Sequence, residues 1–260
     1  MIGKNLGIRL AAVCLSLLPA LAAPAVTILH VDANAPAPGD GRSWPTAYKY
    51  LQDALADASD GDEVHVAQGI YTPDRGATVT TGDRKAAFRW NRAVIVRGGY
   101  AGLGEPDPNE RDISRYQTIL SGDLSANDVD VNDPCDLLTH PSRAENSYHV
   151  VGPCGTEAEL DGFVITGGNS NGIGSMPGVG TYGAGVYVGP ETVRNCTVTR
   201  NSAWWAGGVW GVRNLMNCTI MGNVASDSGG GGHWWGREYV YHVTDCTFSG
   251  NSGKVGGGGM

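Results

Sequence analysis

The stretch Arg194-Asn195-Cys196-Thr197-Val198-Thr199-Arg200-Asn201 is followed by Met216-Asn217-Cys218-Thr219-Ile220-Met221-Gly222-Asn223 and then by Thr244-Asp245-Cys246-Thr247-Phe248-Ser249-Gly250-Asn251. The three octets share one pattern: Asn or Asp, Cys, Thr, an apolar residue, two variable positions and Asn. Each leads into a glycine cluster, Gly207-Gly208-Val209, Gly229 through Gly232, and Gly256 through Gly259. A looser copy precedes them, Asp161-Gly162-Phe163-Val164-Ile165 with Gly183-Ala184-Gly185-Val186. Self-similarity at a period of a few tens of residues marks a stack of repeats, each unable to bury its own apolar face.

Within each octet the β-prone run alternates. In a strand, alternate side chains take opposite faces. Cys196 with Val198, Cys218 with Ile220 and Cys246 with Phe248 are therefore expected inside, and Asn195, Asn217, Asp245 and the threonines outside. Asn201, Asn223 and Asn251 are expected at the turn, where asparagine tolerates left-handed backbone angles. Stacked one above another they would form an amide ladder. The cysteines are expected as a column of small buried apolar residues rather than as a metal set.

These repeats resemble those of right-handed parallel β-helix proteins of the pectin-lyase-like superfamily. They look most like polymorphic outer-membrane protein repeats, which pair Phe-x-x-Asn with Gly-Gly-Ala-aliphatic. Phe248-Ser249-Gly250-Asn251 matches the first motif, and Val198 to Asn201 and Ile220 to Asn223 match with an aliphatic residue in place of Phe. Gly207-Gly208-Val209 and Gly257-Gly258-Gly259-Met260 stand for the second, with departures. Val96 to Gly102, Arg111-Asp112 and Thr118 to Asp123 look like the N-terminal half of secreted bacterial β-helix proteins. The resemblance implies an all-β, right-handed parallel β-helix solenoid with an N-terminal capping helix. The superfamily's architecture serves enzymes, adhesins and structural proteins alike, so the fold does not choose the function.

Working outward, residues 1–23 read as a secretory signal, with Lys4 and Arg9 ahead of the short apolar run Leu10 to Leu18 and small residues at the cleavage region. That run is too short to span a membrane. One β-helix domain is expected over 24–260: an N-terminal cap at 24–61, irregular coils at 62–159, and regular Gly/Asn-rich repeats at 160–260. The last repeat stops mid-coil, which suggests a truncated sequence. The cap is expected to hold a helix near 46–58, from Tyr48, Leu51 and Leu55 with Ala54 and Ala58 at helical spacing. Further strands are expected at Ile28 to Val31, Asp62 to Ile70, Ala93 to Val96, Thr118 to Leu120, Ser147 to Val151 and Leu160 to Thr166.

The chain carries 18 basic and 26 acidic residues, a net charge of −8. That balance disfavours nucleic acid as a partner. Export permits disulfides, and Cys135 and Cys154 flank a segment that a bridge would close. Asp123, Asp128, Asp130, Asn132 and Asp133 alternate oxygen ligands as calcium loops do. The loop departs from the helix-loop-helix pattern, with Asp133 where glycine is needed and Thr139 where the closing Glu belongs. Ca2+ is the one cofactor this points to, and a solvated acidic loop is the plain alternative.

The binding signal is aromatic. Trp204, Trp205, Trp210, Trp234 and Trp235 follow the turn asparagines, and tryptophan faces suit stacking on sugar rings. The alternative is that these rings pack on one another. No acidic pair recurs on consecutive repeats as glycoside hydrolysis would need, and no nucleophile constellation is visible. The expectation is an exported, non-enzymatic surface or secreted protein that contacts a polysaccharide or cell-surface glycan. A polysaccharide lyase or glycoside hydrolase is the runner-up, and a structural spacer the third reading.

Overall fold

A computed structural model describes residues 26–36, 38–171, 181–233, 241–255 and 257–259. Among these the chain is mostly strand, and every pairing between its strands is parallel. The strands form four sheets of seven, six, four and three members. One repeat shows why. Thr192–Arg194 lies in the first sheet, Thr197–Thr199 in the second, Ser202–Ala203 in the third and Val209–Trp210 in the fourth. The chain then re-enters the first sheet at Asn214–Met216, hydrogen-bonded beside Thr192–Arg194. Each repeat thus lays one short strand on each sheet, and the next repeat stacks on it.

The core lies between the sheets. Inside the first sheet, register aligns Leu29, Val64, Val96, Leu160, Val193 and Leu215, all at most 2% exposed. Leu120, Ile165, Val198 and Ile220 make the matching column of the second sheet, all fully buried. Each such side chain contributes about 1.5–3 kcal/mol by leaving water. At the N-terminal end, helix Leu51–Asp57 turns Leu51, Ala54 and Leu55 onto this core.

The corners between sheets need a different solution, because the backbone bends there and the ladder cannot continue. At the first corner the left-handed residues are Asn195, Asn217 and Asp245, at φ 52°, 49° and 53°. Asparagine and aspartate tolerate that region. The three face outward as expected, with Asn217 and Asp245 exposed, but they lie between strands rather than within one: each bends the chain so that the following cysteine turns inward. Cys196 and Cys218 are 2% exposed, and Cys246 is half-buried. The sulfurs act as acceptors where the sheet ladder breaks: Phe163 N–H donates to Cys196 Sγ and Cys218 N–H to Cys246 Sγ, both at 3.4 Å.

At the second corner the left-handed residues are Arg200, Gly222 and Gly250. They precede the asparagines, so the turn conformation lies one residue earlier than expected. Asn201 and Asn223 are fully buried instead, and their amides run between repeats. Asn201 Nδ2 donates to Asn223 Oδ1 at 3.0 Å, and Asn223 Nδ2 to Asn251 Oδ1 at 3.1 Å. Their oxygens also receive the backbone N–H of the repeat before: Gly168 to Asn201, Asn201 to Asn223, and Asn223 to Asn251.

Several boundaries differ from expectation. The stretch Asp62 to Ile70 divides into strands Glu63–Ala67 and Gly69–Tyr71, which lie in different sheets, and the strand expected at Ala93 to Val96 runs over Ile95–Tyr100. The helix begins at Leu51, because Tyr48 is extended and bridges to Val31. Gly162, at φ 85°, splits Leu160 to Thr166 into strands Glu159–Asp161 and Val164–Thr166. Residues 147–151 contribute isolated bridges from Val151 rather than a strand. Residues 123–146 leave the stack as a strap and return at Asn146. No helix of the described residues is long and apolar enough to cross a membrane.

Candidate functional site

The expected calcium loop is the free part of this strap, and its side chains are already engaged. Asp123 accepts from the backbone N–H groups of Ser125, Asn127 and Asp128. Asp128 pairs with Arg143 at 2.9 Å and accepts from Asn146 Nδ2 at 2.8 Å. Asp130 pairs with Arg200, and Asp133 accepts from the Cys135 N–H. Among the described residues no bond runs through the Asn132 side chain. The four aspartates therefore serve separate partners and do not converge. Among the described residues no group of three or more His, Cys, Asp or Glu side chains is placed to hold a metal.

Arg143 explains the strap's shape. It is 3% exposed, and a buried guanidinium must be paired. It donates to Gly168 O and Arg200 O besides meeting Asp128. Asn169 Nδ2 donates in return to Arg143 O at 2.7 Å. The same strap sets Cys135 against Ser252, with Sγ and Oγ 3.4 Å apart. Cys154 instead turns toward Gly152 O. Both thiols are free, so the expected Cys135–Cys154 bridge is not formed. The strap carries Cys135 to the far repeats, away from the segment that holds Cys154.

The aromatic residues form a row on the outside of the fourth sheet. Register aligns Tyr187, Trp210 and His233 on successive repeats. Trp210 and His233 lie 4.8 Å apart and within 7° of parallel. That separation is the spacing of the repeats themselves, so the ring faces look along the stack and are covered by one another. His149 stacks on Tyr187 in the same way at 4.6 Å, and Tyr182 packs 4.4 Å from Trp210 and 5.0 Å from Trp205. Trp205 Nε1 donates to Asp227 Oδ2 at 2.5 Å. Trp210 thus offers an edge rather than the open face expected of it. Trp204 is different: it is 53% exposed beside this self-packed row, and its carbonyl holds the Asp227 N–H at 3.0 Å. Trp234 and Trp235 lie outside the described residues.

A second constellation was not visible in the sequence. On the outer face of the first sheet, register aligns His65, Arg97, Asp161 and Arg194 on successive repeats, and Glu63 and Glu159 in the adjacent column. His65 Nε2 lies 2.9 Å from Glu63, whose carboxylate also meets Arg97 at 3.1 Å. Arg97, Arg111 and Arg194 converge on Asp161 at 3.2, 3.1 and 3.4 Å, and Asn195 Nδ2 donates to it at 2.7 Å. Arg194 also pairs with Glu159 at 2.6 Å. Tyr100 stacks on His65 at 4.3 Å. Burial lowers the His65 pKa, opposed in part by Glu63. Burial would raise that of Glu63, but His65 and Arg97 together hold it below the ordinary carboxylate value. With three guanidinium groups against three carboxylates, the row is charge-balanced. Irregular loops of unequal length separate its members, so only the strand register reveals the alignment.

Compared with known proteins, the sequence matches no protein-family model, no curated protein and no solved structure.

Proposed function

We propose that the stacked repeats form a right-handed parallel β-helix of the pectin-lyase-like kind, exported and non-enzymatic, that contacts a glycan at its outer surface. The observation that carries this reading is Trp204, a ring 53% exposed on the edge of an otherwise self-covered aromatic row. A large apolar ring left open, on a residue whose backbone is hydrogen-bonded to that of an aspartate, offers what sugars use: a C–H face for the ring and an acceptor for hydroxyls. Asp227 supplies the acceptor, and Trp205 fixes its orientation. Trp204→Ala and Asp227→Asn should each reduce retention on a glycan array by about tenfold, the value of one stacking or charge-assisted contact. Retention unchanged in both variants rejects the reading.

One observation favours a catalytic alternative, a polysaccharide lyase or glycoside hydrolase. Glu63 and Glu159 share one outer column with a single repeat between them, next to arginines and His65. Two strand spacings put such carboxylates at about the separation used by inverting hydrolases. Against this, Glu63 is engaged by Arg97 and His65, and Glu159 by Arg194. Incubation with acidic and neutral polysaccharides, with and without calcium, decides the matter. New reducing or unsaturated ends would replace the binding reading with this one.

A further inference from the structure

The N-terminal cap has an outer side that the core does not use. While Leu51, Ala54 and Leu55 face inward, Asp53 and Asp57 of the same helix face an open cleft of about 630 Å³. The chain before the helix supplies Tyr48, Lys49 and Tyr50, and the loop at 76–78 closes the other side with Thr78. The volume lies in the range of small-molecule sites, about 300–1,000 Å³. The cleft lies at the helical cap, and neither the Trp204 edge nor the charged row lines it.

The walls are held. Tyr48 Oη donates to Asp57 Oδ2 at 2.9 Å, and burial together with this carboxylate pushes the phenol up to about 12, so it keeps its proton as a donor. Asp53 Oδ1 accepts from Ala77 N at 2.7 Å, which ties the far loop to the helix. Each carboxylate has further acceptor sites, since an ionised carboxyl offers about four. Lys49 and the Tyr50 hydroxyl have no partner among the described residues.

The mix selects a ligand class. An aliphatic ligand would find only proline, alanine and ring faces. An anion would meet two carboxylates against one ammonium, and a cation would satisfy the carboxylates but leave the Lys49 ammonium and the Tyr50 hydroxyl without a ligand group. An uncharged polyhydroxylated ring fits all of it: hydroxyls donate to Asp53 and Asp57 and accept from Lys49, Tyr50 and Thr78, while the Tyr50 ring takes its C–H face. We propose that the cleft between the capping helix and the 76–78 loop binds a short, uncharged oligosaccharide, as a second contact distinct from Trp204. This rests on the glycan-binding reading above and deepens it, because two contacts on one chain raise avidity on a polymeric ligand.

The test is calorimetric titration of the whole chain with maltotriose, cellotriose and chitotriose, beside an anionic oligogalacturonate and a cationic glucosamine oligomer. Saturable binding of at least one uncharged trisaccharide is expected, weakened about tenfold by Tyr50→Ala and by Lys49→Met, and unmoved by Trp204→Ala. Lys49→Met removes only the charge from a partly exposed side chain, so it tests the site even if Tyr50→Ala disturbs the helix start. No uncharged binding at millimolar concentration, binding by the charged arms alone, or affinities unchanged in both variants would each overturn the proposal. If Trp204→Ala abolishes retention while the cleft variants do nothing, this proposal fails and the Trp204 reading stands; the reverse pattern separates them the other way.

Discussion

Replacing Asn223 with alanine removes the middle member of the amide ladder while leaving every strand residue in place. Its oxygen accepts the Asn201 N–H at 3.1 Å and Asn201 Nδ2 at 3.0 Å. Its nitrogen donates to Val198 O at 2.9 Å, Met221 O at 3.2 Å and Asn251 Oδ1 at 3.1 Å. The site is fully buried, so no water replaces it. The Asn201 N–H loses its acceptor outright, which costs about 1–3 kcal/mol for a buried donor. The other four bonds share partners and add about 1–2 kcal/mol net between them. The sum is about 2–5 kcal/mol, a large part of the 5–15 kcal/mol that holds an ordinary domain together. Asn251→Ala should cost less, about 1–2 kcal/mol, because Asn251 is half-buried and water reaches it. Urea unfolding at constant slope measures both. An Asn223→Ala loss below about 1 kcal/mol, or a larger loss at Asn251, would refute the reasoning that the corner is held by side-chain amides.

Two further outcomes follow from the buried titratable groups. Burial drives the His149 pKa down to about 4, from an ordinary 6.5. The folded chain then binds fewer protons than the unfolded one, so stability is complete above pH 6.5 and falls as pH drops toward 4, by roughly 3 kcal/mol. His149→Phe, which keeps a ring against Tyr187, should flatten that limb of a pH-dependent unfolding curve; an unchanged limb would assign the acid sensitivity elsewhere. For the thiols, Cys135 is exposed whereas Cys196 and Cys218 are 2% exposed. The contact with Cys196, reinforced by burial, raises the Cys218 pKa strongly, and burial pushes Cys154 up to about 12. Among these four, native alkylation at mild alkaline pH followed by peptide mass mapping should label Cys135 first; equal labelling of Cys218 would mean the column is open to solvent.

The repeats were legible because they restate one local rule: an apolar residue two positions after cysteine, and asparagine three further on. That pattern is enough to place Val198, Ile220 and the buried cysteines. It misplaces the bend, since alternation alone cannot show that Asn195, Asn217 and Asp245 take left-handed angles and end one strand before the next begins. The charged row was illegible for another reason. His65, Arg97, Asp161 and Arg194 become neighbours only through register, and the intervening loops differ in length. The acidic strap shows the limit of composition: Asp123, Asp128, Asp130 and Asp133 look alike in sequence, and only the fold shows that Arg143, Arg200 and backbone N–H groups bind them separately. Tryptophan content says where aromatic rings gather but not how they are oriented, and the fold leaves Trp204 open and turns Trp210 edge-on.

A pile of near-identical layers is only as cohesive as the contact between one layer and the next, so it tends to fray from an end. The strap changes that arithmetic. Arg143 grips Gly168 and Arg200, Arg200 also holds Asp130, and Cys135 reaches Ser252. One segment thereby ties layers that do not touch each other, as a splint does. Arg143→Met, which removes that grip, should broaden the melting transition, with the repeats beyond Asn201 loosening first.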